Sequence, residues 1–372
     1  MNSKKNKIQK KRIRDKFKSF IGSSARYKGG KAAPKGIKSY KLSSNENALG
    51  CSPKVKEAIA NIQNSFHLYP DNTDKQLRDA LCNYHDSELK SDQFVCANSG
   101  SEIIEMVIRS FTTPGDNVIV SNPCFLPYFS FSQMYGAEVI DIPLQGPNYS
   151  LNVNGIVQAI TDRTRIIFLT SPNNPTGSYI PKSVLSELLA LVSPDIIIIY
   201  DEVYYQYADA TDFSTALPFV TNGHSIVAIN SFSKAFGMAS LRVGYCYTTL
   251  EIATYLRHFQ RPFFINNLSM TAAIAALSDQ SFIEKTVNHN MAERKFLENE
   301  FQRIGIDYVP TQGNFHLFHS PIPSSELVNA LYEQGVMIRD VASFGAPGKV
   351  RATIGRREGN QKLISELEKI SF

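Results

Sequence analysis

SFSKAFGMASLRVGY, residues 231–245, decides how the rest of the chain is read. Lys234 stands between Ser233 and Ala235 in a run of small and apolar residues, and Arg242 follows eight positions later. A surface lysine has no use for that company. A lysine in apolar surroundings has a lowered pKa and can attack a carbonyl carbon. Ser231 and Ser233 offer hydroxyls to a phosphate, and Arg242 offers a charge to neutralise it. Together they suit the capture of a phosphorylated aldehyde.

The stretch begins at the end of a strand, SIVAINSFSKAFG (225–237), and that strand is one of a series. FVCANSGSEIIEMVIRSF (94–111) reads as strand, small-residue turn, helix. NVIVSNP (117–123), EVIDIPL (138–144), TRIIFLTSPNNPTG (164–177), DIIIIYDEVYYQY (195–207) and RVGYCYTT (242–249) follow. Strands alternating with helices predict an α/β fold, a mostly parallel sheet covered by helices on both faces. Upstream, SPKVKEAIANI (52–62) predicts a helix with a Ser cap and Pro at its first position, and DKQLRDALCNYH (74–85) a second. From residue 262 a helical stretch runs to about 304, and short strands at 314–320, 336–341 and 350–355 suggest a smaller α+β domain. The expected division is a basic extension and arm (1–36), a large domain (66–255), and a small domain built from 37–65 plus 256–372.

A chain of 372 residues is long enough for two such domains and a buried site between them. Its net charge of +5 hides an asymmetry. Residues 1–41 hold 15 Lys/Arg against Asp15 alone, a balance of +14, and the remainder has 24 basic and 33 acidic residues, a balance of −9. A basic arm can meet nucleic acid or an anionic membrane. This one lacks the interleaved aromatics of a single-strand binder, so an arm resting on a partner subunit is the preferred reading, with no nucleic acid and no membrane as partner. The five cysteines are odd in number and none is in C-x-x-C spacing, which argues against a disulfide framework or a zinc site and suits the cytoplasm. No apolar run reaches the length of a membrane helix, and no secretory signal is expected after the basic start.

In open parallel sheets ligands collect at the carboxyl ends of the strands, and the suggestive residues fall there. Gly100 and Ser101 lie between a strand and a helix start, where backbone N–H groups suit a phosphate. A tight turn alone explains them equally. Asn174 sits in the SPNNPTG loop, stiffened by two prolines. Asp201 ends an apolar strand, where a carboxylate is expensive unless paired. A helix cap or a structural ion pair accounts for it as well. Tyr204 comes three residues later.

The ordered set resembles the fold type I pyridoxal-phosphate enzymes, the aspartate-aminotransferase-like superfamily. The match extends over nearly the whole chain after about residue 25, with SPNNPTG, YDEVYYQY and SFSKAFGMASLRVGY in the family's order and spacing. KLSSNENALG (41–50), YPDNTDKQLRDAL (69–81), NSGSEIIEMVIRSF (98–111) and VRATIGRREGN (350–360) resemble the histidinol-phosphate aminotransferases in particular. One departure is Cys124, where the family commonly has threonine.

The resemblance implies pyridoxal 5'-phosphate as cofactor and transamination between an amino donor and a 2-oxo acid. By it, Lys234 matches the lysine that holds the cofactor aldehyde and moves the proton at the substrate α-carbon. Asp201 matches the carboxylate facing the pyridine nitrogen, and Asn174 and Tyr204 the pair on the ring's phenolic oxygen. Gly100, Ser101, Ser231, Ser233 and Arg242 match the phosphate cup, and Phe125 an aromatic residue stacked on the ring. Tyr69 matches a tyrosine given to the phosphate by the other subunit, which implies a homodimer. Arg351 matches the arginine for the substrate carboxylate. Arg339 and Tyr27 match residues near the substrate's distal phosphate. Histidinol phosphate with 2-oxoglutarate is the leading pair. A threonine-phosphate-type decarboxylase and an aminotransferase of aromatic or other free amino acids share the motifs. A cofactor-sensing regulator is the weaker reading, because the basic segment is too short for a winged-helix module.

Overall fold

The continuous apolar strands of the sequence predict burial on both faces, and the architecture supplies it. The computed structural model describes residues 32–34 and 36–371, so Tyr27 and most of the basic extension lie outside the described residues. The chain enters with β1 (Tyr40–Lys41) and a helix, Pro53–Asn61. The large sheet then gathers β2 (Phe94–Ala97), β3 (Asn117–Asn122), β4 (Glu138–Pro143), β5 (Thr164–Thr170), β6 (Ile197–Asp201), β7 (Ile226–Ser231) and β8 (Gly244–Tyr247). Their order across the sheet is β2-β8-β7-β6-β5-β3-β4. Neighbouring strands from β7 to β4 are parallel, and β8 runs antiparallel between β7 and β2.

Alternate side chains of the central strands feed two cores. Ile167, Leu169, Ile198, Tyr200 and Ala228 join one cluster, and Ile166, Phe168, Ile197, Ile199 and Val227 join the other. Each such fully buried aliphatic contributes about 1.5–3 kcal/mol, which explains why these strands read as unbroken apolar runs. At the carboxyl ends of β5, β6 and β7 polar residues take over, at Thr170, Asp201 and Asn230-Ser231.

The helical stretch after residue 262 is two helices, Asn267–Leu277 and Gln280–Arg303. Asn266 caps the first by accepting from Ser269 N at 2.8 Å, and Asp279 caps the second by accepting from Phe282 N at 3.4 Å. Asp279 also accepts from Ser52 Oγ, the cap of helix Pro53–Asn61, so two helix starts are tied together. The small sheet comprises β9 (Tyr308–Val309), β10 (Phe315–His319), β12 (Arg339–Asp340) and β13 (Lys349–Thr353), in the order β12-β13-β10-β9. The single strand expected over 336–341 is divided. β11 (Val336–Met337) pairs with β1, while β12 pairs with β13. Among the described residues no helix is long and apolar enough to cross a membrane.

Two glycines set how closely the parts approach. Gly237 (φ +70°) lies where an added Cβ would come within 1.9 Å of Gly50 O. Gly177 (φ +77°) lies where it would come within 2.2 Å of Thr311 Oγ1. Both need glycine for conformation and for space. These contacts bring the N-terminal segment and the small sheet against the loops at the open end of the large sheet.

Candidate active site

Strand ends β5, β6 and β7, the start of helix Gly100–Phe111 and the small sheet enclose a cavity of about 830 Å³. Gly100, Ser101, Ser231, Ser233 and Arg242 line one part of it; Asn174, Asp201, Tyr204 and Lys234 line the centre; Phe125 and Arg351 complete the walls. The structure therefore brings together residues that are 251 positions apart at the extremes, from Gly100 to Arg351.

Asp201 is the last residue of β6 and is 5% exposed. Its Oδ2 accepts from the Tyr128 hydroxyl at 2.6 Å, and its Oδ1 from Val203 N at 3.3 Å. Burial pushes its pKa up to about 6, against the pull of the Tyr128 and Val203 hydrogen bonds and the Lys234 charge. Lys234 Nζ lies 5.3 Å from the Tyr204 ring centroid and donates to Ser44 O at 3.4 Å. The Tyr204 hydroxyl accepts from Asn45 Nδ2 at 2.9 Å. Asn174 accepts from Arg351 Nη1, and Arg351 Nη2 donates to Ser43 O at 2.9 Å. One buried arginine thus joins the rigid loop after β5 to the segment after β1.

The floor of the cavity suits an anion. Ser99 Oγ caps helix Gly100–Phe111 by accepting from Glu102 N at 3.1 Å, and the first N–H groups of a helix have no helical acceptor. An added Cβ at Gly100 would lie 3.2 Å from Ile229 Cγ2, and one at Gly244 2.5 Å from Gly100 N. Backbone meets backbone here, and a phosphate can come close to the helix end. Ser231 Oγ accepts from Ser233 N at 3.1 Å, turning the chain beside it. Arg242 holds φ +51°, a left-handed conformation that costs about 1–2 kcal/mol for a side-chain residue. Its Nη1 donates to Ala239 O at 3.0 Å. A helix N-terminus, two hydroxyls, an arginine, a lysine and a carboxylate form a donor set that fits a phosphorylated pyridine aldehyde.

Three predicted residues stand apart. Tyr27 is outside the described residues. Tyr69 is 83% exposed, stacked on Phe263 at 4.7 Å between ring centroids, and does not line the cavity. Arg339 does not line it either, yet it is the direct register partner of Arg351 across β12 and β13. Directly paired residues share a face of the sheet, and the two guanidiniums lie 5.5 and 5.9 Å from the Phe344 ring centroid.

Sequence reasoning missed Tyr128, Thr170 and Asn45, which all line the cavity. Tyr128 follows Phe125 by three residues at a Pro-initiated helix start, Pro127–Met134, so the two rings share a side; that spacing was a usable signal. Thr170 ends β5 as Asp201 ends β6, and the two are register partners.

The model of the family described as aminotransferase class I and II matches residues 37–367. The chain is 35% identical over 334 residues to histidinol-phosphate aminotransferase 2 of Methylococcus capsulatus, covering 89% of this chain and 90% of that one. It is 34% identical over 367 residues to the histidinol-phosphate aminotransferase of Methylobacillus flagellatus, covering 96% and 98%. Among solved structures, the fold superposes on histidinol-phosphate aminotransferase from Sinorhizobium meliloti, determined in complex with pyridoxal-5'-phosphate, with a TM-score of 0.86 at 20% identity, covering 95% of this chain and 97% of that one. The chain belongs to the class I and II aminotransferase family and is a transaminase with the fold of the type I enzymes.

Proposed function

We propose that this transaminase uses pyridoxal 5'-phosphate to move the amino group of histidinol phosphate to 2-oxoglutarate, giving imidazole-acetol phosphate and glutamate. The observation that carries the substrate is the pair Arg351 and Arg339, register partners on one face of the small sheet, with Arg351 lining the cavity and Arg339 beside it. Two adjacent cations suit a phosphate dianion better than a single carboxylate. The names of the curated relatives point the same way.

When bound, pyridoxal phosphate supplies an electron sink for the carbanion formed at the donor's amine-bearing carbon. The chain's own residues do the rest. Lys234 would hold the cofactor's aldehyde carbon and, once freed by the incoming amine, would take the proton from the donor's amine-bearing carbon. Asp201, at the cavity, would face the pyridine nitrogen and favour its protonated form. Asn174 and Tyr204 would hold the phenolic oxygen, and Phe125 would cover one face of the ring. Gly100, Ser101, Ser231, Ser233 and Arg242 hold the phosphate. Arg351 orients the carboxylate of the 2-oxo acid and, with Arg339, the phosphate of the donor. One geometry serves both half-reactions, so the kinetics are ping-pong.

The active form is a cytoplasmic homodimer in which Tyr69 reaches the partner's phosphate site. Phe66, Leu68 and Tyr69 are 60%, 61% and 83% exposed, and an apolar cluster of that kind favours burial against a second subunit.

A donor panel tests the substrate: histidinol phosphate, histidinol, threonine phosphate and phenylalanine, scored for oxo product and carbon dioxide. Histidinol phosphate is expected to exceed histidinol by tenfold or more, as one charge-assisted contact is worth about 1.5–3 kcal/mol. Arg339→Ala should erase most of that preference. Carbon dioxide from threonine phosphate would replace the reading with a decarboxylase, and equal rates on phenylalanine with an aromatic aminotransferase. Borohydride should trap a covalent adduct in the parent protein and none in Lys234→Ala.

A further inference from the structure

Asp201 does not meet the protein through one contact. The Tyr128 hydroxyl that touches Asp201 Oδ2 also lies 2.9 Å from Thr170 Oγ1. Tyr128 is 1% exposed, and its ring is fixed by stacking on Phe168 at 4.9 Å and by an edge contact with Phe125 at 5.8 Å. Behind Thr170 is a second, separate cavity of about 20 Å³, lined among others by Ser121, Thr170, Asn173 and Ser178. Ser121 Oγ is buried there with no hydrogen-bond partner. A cavity needs roughly 10–15 Å³ and two or more polar partners to hold one water, and this one meets both requirements.

We propose that Tyr128, Thr170 and a water bound beside Ser121 form a one-way hydrogen-bond chain that orients the Asp201 carboxylate toward the active-site cavity. This rests on the cofactor reading above. The direction follows from valence: each hydroxyl has a single proton to donate. If Tyr128 gives its proton to Asp201, it can only accept from Thr170. Thr170, having donated, has only acceptor capacity left, and a water in the small cavity can donate to it while accepting from Ser121. Each link polarises the next, so the hydrogen bond at Asp201 is stronger than an isolated one. Without the far end, the Thr170 hydroxyl is free to turn away and the Tyr128 hydroxyl to choose another acceptor. Tyr128 and Thr170 are therefore positioning residues.

The chain acts on the charged form of Asp201. The other ionisable groups facing that carboxylate are Lys234, whose charge favours ionisation, and the neighbouring Glu202, whose charge is coupled to it. Both stay in place in the variants below, so a shift belongs to the chain.

The test uses the full-length protein in two forms. In the protein stripped of cofactor, infrared titration follows the protonated carboxyl band that Asp201→Asn removes. In the reconstituted protein, pH titration follows the cofactor's absorbance. Tyr128→Phe should move the Asp201 titration upward by about one pH unit, the size expected when one hydrogen bond to a charged group is lost. Thr170→Val should give a smaller upward shift, Ser121→Ala a smaller one again, and Thr170→Ser should restore the parent curve. Each change removes or keeps a single polar atom, and unchanged melting curves check the fold. An unmoved infrared titration in Tyr128→Phe overturns the proposal. A parent-like curve in Thr170→Val overturns the chain and leaves Tyr128 acting alone. If the reconstituted parent shows no cofactor absorbance, the cofactor reading has failed, and the infrared titration still decides whether the chain exists.

Discussion

Asp201 and Glu202 are adjacent, both carboxylates and both buried at the end of β6, yet they lie in opposite surroundings. Asp201 lines the large cavity; Glu202 does not and is 0% exposed. Glu202 accepts from the Tyr247 hydroxyl, from Ala216 N at 2.8 Å and from Asn230 Nδ2 at 3.0 Å. Burial pushes its pKa up to about 7, against those three donors. A carboxylate has about four acceptor positions. Glu202 spends three of them on the protein, binding the loop before helix Leu217–Thr221 to β7 and β8. Asp201 has one short contact and one long one, and keeps capacity in hand on the side of the cavity. Burial and a raised pKa are common to both. What separates them is unused acceptor capacity facing open space, which Asp201 has and Glu202 lacks.

That contrast can be broken experimentally. The largest effect is expected in Asp201→Asn, which should lower turnover by about 10²–10³-fold, the scale of losing one preorganised electrostatic partner of the reacting group. Its melting temperature should barely move. Glu202→Gln should do the reverse: destabilisation of about 1–3 kcal/mol in denaturant titration, because one buried donor loses its acceptor, with turnover per folded molecule within about threefold of the parent. Deep loss of turnover in folded Glu202→Gln would erase the distinction.

A smaller effect sharpens it. Glu202 has a folded-state pKa of about 7, above the usual carboxylate value. The folded protein therefore binds its proton more tightly than the unfolded chain. The stabilisation this gives is fully present below the unfolded pKa, near 4.5, and is lost as pH rises through about 7. Melting temperature followed across that window should fall more steeply in the parent than in Glu202→Gln, which has nothing to titrate. Identical slopes would show that Glu202 does not titrate as its surroundings require.

The sequence carried the fold because β5, β6 and β7 have no alternative: runs such as IIIY can only sit between two layers. It pointed to Lys234, Asp201, Asn174 and Arg242 because strand ends in such sheets face ligands, and because the motifs resemble a known family; all four line the cavity. The resemblance singled out Asp201, but the apolar run alone does not separate it from Glu202; the fold shows that Asp201 has room beside it. Tyr128 was not singled out: its ring is packed in the core, and only the fold brings its hydroxyl to Asp201. Asn45 acts through a contact with Tyr204, 159 positions away, which no local pattern encodes. The pairing of Arg339 with Arg351 depends on register, which is fixed by the turn between β12 and β13 and the small-sheet core.

Arg351 joins Asn174 to the carbonyl of Ser43, and β1 finds its partner only at β11, while Thr353 N donates to Leu42 O at 2.7 Å. During synthesis the first of these segments leaves the ribosome about 300 residues before the last. At roughly 5–20 residues per second the interval is about 15–60 s. Lys234 precedes Arg351 by 117 residues, about 6–23 s at that rate, and for that time Asp201 and Lys234 lack the arginine that closes the wall beside them. A nascent chain of this protein has its carboxylate and its lysine well before the segment that closes the cavity around them.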